Sequence, residues 1–132
     1  MNQTVFAIAC LACFWVSACG SEAVPDTTPP EIAQTIPAAD AVDVPADTLI
    51  VIQFNEAIDR NSINSDLFHL ILNGQPYYGQ DSYDLAQFQA TLNMSAPLQA
   101  GATYQAVLEA GVKDTTGNIR KEAYRWSFTV AP

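Results

Sequence analysis

The feature that most limits what this chain can fold into is the alternation in its closing stretch, AYRWSFTV. In an extended strand Tyr124, Trp126, Phe128 and Val130 fall on one side, and Arg125, Ser127 and Thr129 on the other. A period of two does not fit an amphipathic helix, whose apolar positions recur every three or four residues. The same alternation places Phe88, Ala90, Leu92 and Met94 of AQFQATLNM on one face, and Tyr104, Ala106 and Leu108 of TYQAVLEA likewise. TLIVIQF, rich in β-branched residues, lies between Asp47 and Asn55. DLFHLIL ends at Asn73-Gly74, a strong signal for a two-residue hairpin turn. QPYYG then reads as its partner, and Pro76, which lacks an N–H, confines that partner to a sheet edge. Turn residues punctuate these runs at the spacing of a β-sandwich, roughly 8–12 residues. A helical pattern is confined to a single turn around Arg60–Ile63. The expected class is all-β, an antiparallel β-sandwich, in one module over residues 31–132 without internal repeats.

At the other end, VFAIACLACFWVSA (residues 5–18) is too short to span a bilayer, which takes about 20 apolar residues. Small residues precede Cys19, and a polar segment follows, as in a cleaved secretory leader. The sequence VSAC resembles the bacterial lipobox, in which the cysteine becomes the first mature residue. The resemblance implies a lipoprotein signal peptide over residues 1–18. It also implies a diacylglycerol thioether on Cys19 with acyl chains such as palmitate. Several chains together anchor stably where one would not. Gly20 and Ser21 are neutral sorting residues in that pattern, which points to the outer membrane. Residues 19–30, with the run AVPDTTPP, form the lipidated cysteine and a Pro/Thr spacer of polyproline II character.

The three cysteines are Cys10, Cys13 and Cys19. Cleavage before Cys19 removes two and lipidation consumes the third, so no disulfide is available. The fold has to be held by its core, and about 100 residues suffice for one. The net charge of −9 with no basic patch disfavours nucleic acid and anionic lipid surfaces as partners.

From Pro30 to Val130 the pieces PPEIAQTIPAADAVDVP, TLIVIQFNEAID, APLQAGATYQAVL, GVKDTTGN and WSFTV follow in order. Together they resemble the bacterial Ig-like domains of surface-layer proteins and multi-domain adhesins. The resemblance implies a seven-stranded Greek-key Ig-like sandwich acting as spacer, scaffold or adhesive module, without catalysis. In APLQAGATY the residues themselves suggest a corner: Leu98 plugs the core, Gly101 makes the tight bend, and the Tyr104 hydroxyl returns to the corner backbone.

Two groups are candidate ligand sites. FNEAID and VKDTTGN follow the second and sixth expected strands and share an end of the sandwich with the linker. Glu56, Asp59, Asp114 and Asn118 would converge there as oxygen ligands for Ca²⁺. The competing reading is turn chemistry. Asp59 would cap the short turn toward Ser62, and Asp114 would open a type I turn closed by Gly117. Tyr77, Tyr78 and Tyr83 form the second group. Consecutive strand residues point to opposite faces, so one of Tyr77 and Tyr78 faces solvent, for stacking on a glycan or protein or for covering the edge. His69, the lone histidine, is expected exposed on the outer face between Phe68 and Leu70. No motif pairs a nucleophile with a base or cradles a phosphate. The sequence therefore reads as a non-catalytic, monomeric, lipid-anchored module of the cell envelope, with an envelope protein or a glycan as partner. It requires no cofactor, with Ca²⁺ the one candidate ion.

Overall fold

The computed structural model describes residues 25–132; the expected leader, residues 1–18, and Cys19 lie outside them. Among the described residues nine strands run in chain order. They are β1 (Ile32–Ile36), β2 (Ala41–Val44), β3 (Ile50–Phe54), β4 (Phe68–Leu72), β5 (Gln75–Tyr77), β6 (Gln80–Asp84), β7 (Gln89–Asn93), β8 (Thr103–Leu108) and β9 (Tyr124–Val130). They form two sheets, in the orders β2-β9-β8-β4-β5 and β1-β3-β7-β6. The two sheets make an all-β, Ig-like sandwich.

The expected seven antiparallel strands are corrected to nine, one pair of them parallel. Pro37 ends β1, and the chain crosses to the other sheet, where β2 runs parallel to β9. QDSYD forms β6, paired with β7. Its inward positions are Asp81 and Tyr83, so it lacks the hydrophobic alternation that marks the other strands.

The inward rows are those the alternation selects. Ile50, Ile52 and Phe54 of β3 face the space between the sheets with Ala90 and Leu92 of β7. Phe68 and Leu70 of β4, Ala106 and Leu108 of β8, and Trp126, Phe128 and Val130 of β9 complete the core. Each of the larger side chains contributes about 1.5–3 kcal/mol on burial. The Trp126 indole N–H donates to the Pro37 carbonyl at 2.8 Å, so the one polar atom of this large ring is paired where it is buried.

Local turn chemistry sets the connections. Asn73 and Gly74 both adopt positive φ, 52° and 79°, as a type I′ hairpin requires. They join β4 to the edge strand β5. The corner before β8 is as the sequence indicates. Leu98 is buried, Gly101 takes a φ of 74°, and the Tyr104 hydroxyl accepts the Gln99 N–H at 2.9 Å. The Tyr104 ring stacks on Phe128, centroids 6.0 Å apart.

His69 lies on the outer face, as alternation requires, but is only 6% exposed. Tyr78, just past β5, lays its ring 5.4 Å from the imidazole, which corrects the expectation of an exposed histidine.

Trp126→Ala removes both core volume and the bond to Pro37, and is expected to cost about 3–5 kcal/mol. Tyr104→Phe loses only the corner bond, about 0.5–1.5 kcal/mol. Urea unfolding of the two variants should separate them in that order.

Candidate functional site

Strand β3 delivers Glu56 and Asp59 to the end of the sandwich where β8 delivers Asp114 and Asn118. A β-bridge between Ile58 and Asp114 ties the two loops together, and the Asp59 N–H donates to the Lys113 carbonyl at 2.8 Å. Ser62 reinforces the join, its Oγ accepting the Lys113 N–H at 2.9 Å.

Asp114 is the organising group. It is 2% exposed. Its Oδ1 accepts the Thr116 N–H, the Thr116 hydroxyl and the Asn118 N–H at 2.9, 2.8 and 2.9 Å. Its Oδ2 accepts the Asn118 side-chain amide at 2.9 Å. Burial by itself pushes this carboxyl up. The donors from Asn118 and Thr116 outweigh it and hold the group at about 2, below the ordinary aspartate value of 3.8. Gly117 N–H closes the turn on the Asp114 carbonyl at 3.2 Å.

The linker is part of this end. The Asn118 amide also donates to the Asp26 carbonyl at 2.9 Å, and Thr116 Oγ1 reaches the Asp26 carboxylate at 3.4 Å. Arg120 Nη1 donates to the carbonyl of the buried Pro30 at 3.3 Å. Asn55 then clasps Glu31 in both directions, at 3.0 and 2.9 Å. The polypeptide is therefore bonded to the body from Asp26, five residues before the expected domain start at Glu31.

Docking the linker assembles three carboxylates. Asp26, Glu56 and Asp114 each offer an oxygen, all within 4.8 Å of one another. Glu56 is pushed above its ordinary value, first by burial, then by the charges of Asp26 and Asp114. Such an all-oxygen group has the chemistry a hard cation prefers. Asp59 stands apart from the cluster, since its carboxylate accepts the Asn61 N–H at 2.9 Å and caps the short 3-10 turn Arg60–Ser62. Asn118 is beside the cluster, but its amide nitrogen points into it and donates to Asp114 and Asp26. Asp26 was not among the residues the sequence singled out. It sits in a Pro/Thr run with no local signal, and only the return of the linker across the loops brings it in.

The three tyrosines separate. Tyr77 and Tyr78 sit at the β5 edge, 43% and 54% exposed. They point to opposite sides, Tyr77 edge-on to Tyr104 and Tyr78 over His69. Both stay half open because an edge strand has no neighbour to cover them. Tyr83 belongs to the other sheet, and its hydroxyl accepts the Ile58 N–H at 2.8 Å. It braces the Glu56 loop.

Residues 26–130 match the family described as bacterial Ig-like domain. The chain belongs to that family. No curated protein matches this Ig-like domain in sequence. Among solved structures, domains 1–6 of the surface-layer protein SbsC align with 79% of the chain at 21% identity and a TM-score of 0.58. The Ig-like chain spans 14% of that protein's length. CopC from Methylosinus trichosporium OB3b aligns with 78% of the chain and 94% of its own, at 16% identity and a TM-score of 0.64. PcoC, a methionine-rich copper resistance protein from Escherichia coli, gives 78%, 99%, 16% and 0.63. At these identities the likeness is one of fold.

Because Asp114 is held below its unfolded value, its contribution to stability is complete above about pH 4. It is lost as the pH falls through about 2. Glu56 has the opposite sign, its charged form opposing folding until acid protonates it. The melting temperature of Asp114→Asn should therefore lie below that of the native protein at neutral pH. The gap should close as the pH is taken from 4 toward 2.

Proposed function

We propose that this Ig-like domain is a non-catalytic, lipid-anchored module of the bacterial cell envelope that works through structural or protein contacts. Family membership supports the module reading. The observation that carries the anchoring geometry is the linker bonded to one end of the sandwich through Asp26 and Pro30. A lipid on Cys19 would then hold that end toward the bilayer, in this reading the outer membrane, and leave the opposite end free. Only residues 20–25 would lie between anchor and docked linker. A fully extended chain spans at most about 3.3–3.6 Å per residue, so the domain would ride close to the surface. A polyproline spacer through Pro30 would have lifted it further. The partner in this reading is another envelope component, met by a monomer.

The copper resistance for which PcoC is named does not carry over to this chain. The whole chain has two Met and one His, and the histidine is covered by Tyr78.

Two ligand readings attach to particular places. Ca²⁺ between the linker and the loops is favoured by the carboxylates of Asp26, Glu56 and Asp114, with Asn118 beside them. A glycan stacking on the β5 edge is favoured by the half-open rings of Tyr77 and Tyr78, the Tyr83 hydroxyl being engaged at Ile58.

Mass spectrometry of the protein purified from membranes tests the anchor. The expected amino terminus is Cys19 carrying diacylglycerol and an acyl chain; recovery of Met1, or of an unmodified cysteine, contradicts it. Thermal melting tests the ion. Ca²⁺ should raise the melting temperature more than Mg²⁺ does, and Glu56→Gln should abolish the difference; equal shifts with both ions discard the site.

A further inference from the structure

Where the linker enters β1, a cavity opens that the network around Asp114 does not use. Pro29, Pro30 and Glu31 line it from the linker, and Arg120, Lys121 and Glu122 from the segment before β9. Its volume is about 230 Å³, below the ~300–1,000 Å³ of pockets for drug-sized molecules, which suits something smaller.

Both walls are held by backbone bonds. Glu31 is clasped by Asn55 in both directions. The Arg120 N–H donates to the Val112 carbonyl at 2.7 Å, and the Arg120 carbonyl accepts the Gly111 N–H at 2.8 Å. A cavity shaped before its ligand arrives loses little binding energy to ordering.

Four charged side chains meet there, two cations and two carboxylates. The chain has fourteen Asp and Glu to five Lys and Arg, so carboxylates are in excess for every cation. Arg60 and Arg125 each have such a partner. None of the ion pairs among the described residues involves Glu31, Arg120, Lys121 or Glu122, although all four line one cavity. The Arg120 guanidinium is also short of acceptors. Its Nη1 reaches the Pro30 carbonyl at 3.3 Å, and its buried Nε has no hydrogen-bond partner. A buried N–H left without an acceptor is uncommon and calls for a partner.

These groups select a ligand chemistry. A guanidinium presents its donors in a fork that matches phosphate oxygens, and a neighbouring ammonium adds a point charge. Carboxylates accept from a primary ammonium. Charges of both signs that do not reach one another suit a single molecule that carries both. A purely anionic molecule is repelled on approach by the net charge of −9, whereas a zwitterion is not.

We propose that this cavity binds a phosphoethanolamine group, its phosphate toward Arg120 and Lys121 and its ammonium toward Glu31 and Glu122. The group has two sources, the headgroup of a bilayer phospholipid and a soluble compound. The lipid source rests on the anchoring reading above. A chain tethered through Cys19 keeps the linker end among headgroups, where high effective concentration makes a weak site sufficient. The cavity itself needs only the docked linker, so the mass of the amino terminus judges the anchor and a soluble probe judges the site.

The test uses the mature protein purified from membranes, ¹⁵N-labelled, in a maltoside detergent that has neither phosphate nor ammonium. Glycerophosphoethanolamine is titrated in, and saturable amide shifts are expected at Glu31, Arg120, Lys121 and Glu122. Glycerophosphocholine lacks an N–H on its nitrogen, and the cavity has no aromatic ring to hold a quaternary ammonium. That compound and inorganic phosphate should each bind at least about fivefold more weakly. Lys121→Gln and Glu122→Gln should each weaken binding about fivefold, against less than about twofold for Arg60→Gln and Asp66→Asn. In nanodiscs, the same shifts on adding phosphatidylethanolamine to phosphatidylcholine identify the bilayer as the source. Shifts with the soluble compound alone identify a free one. Absence of saturable shifts overturns the proposal. Phosphate binding as tightly as glycerophosphoethanolamine also overturns it, because the cavity would then read an anion alone. Equal weakening by all four variants does the same, since net charge would then be what is read.

Discussion

One buried carboxylate gives this domain its direction. Asp114 sits where desolvation would favour its neutral form, yet four donors from Thr116 and Asn118 keep it charged. Hydrogen bonds to a charged acceptor are the stronger kind, and here they freeze a loop that would otherwise be an ordinary surface turn. The Asn118 amide then extends the network to the Asp26 carbonyl. A chain entering along that path is delivered to one end of the sandwich. The β1–β2 and β2–β3 connections are left toward the other.

Beneath that network the body is closed by apolar packing alone, since residues 25–132 contain no cysteine. Rows from both sheets interdigitate, and the polar atoms that must enter the core arrive with partners, as Trp126 does with Pro37 and Tyr104 with Gln99. Surface ion pairs such as Arg60–Asp81 at 3.0 Å add little, because solvent screens them and ordering two long side chains costs entropy. Rigidity in the core is what allows weak individual bonds at the loops to hold a fixed geometry.

Much of this was legible in the sequence because the governing signals were local. Alternation in AYRWSFTV, TYQAVLEA and AQFQATLNM located inward faces, Asn-Gly located the hairpin, and APLQAGATY located the corner. Where the outcome depended on distant contacts, the sequence was silent. Strand β6 has Tyr83 as its one apolar inward residue, and its pairing with β7 is what makes it a strand. The second half of IAQTIPAADAVDV joins the opposite sheet because Pro37 ends the first pairing. Asp26 enters the carboxylate cluster only through bonds to residues some ninety positions away. His69 was placed on the correct side, but its cover comes from Tyr78 beyond the hairpin. Asp59 and Asp114 had two readings from sequence. Turn capping describes both in the structure, and the cation reading now centres on Glu56 and Asp114 together with Asp26.

The central claim is that the linker is a docked part of the domain, and backbone ¹⁵N relaxation reports on it directly. Asp26, Thr27, Thr28 and Glu31 should have order parameters near the ~0.85 of rigid backbone in the native chain. In Asn118→Ala, Asp26 to Thr28 should fall toward or below ~0.6, with the strands unchanged. If those residues are mobile in the native protein, or equally rigid without the Asn118 amide, the docking described here is wrong.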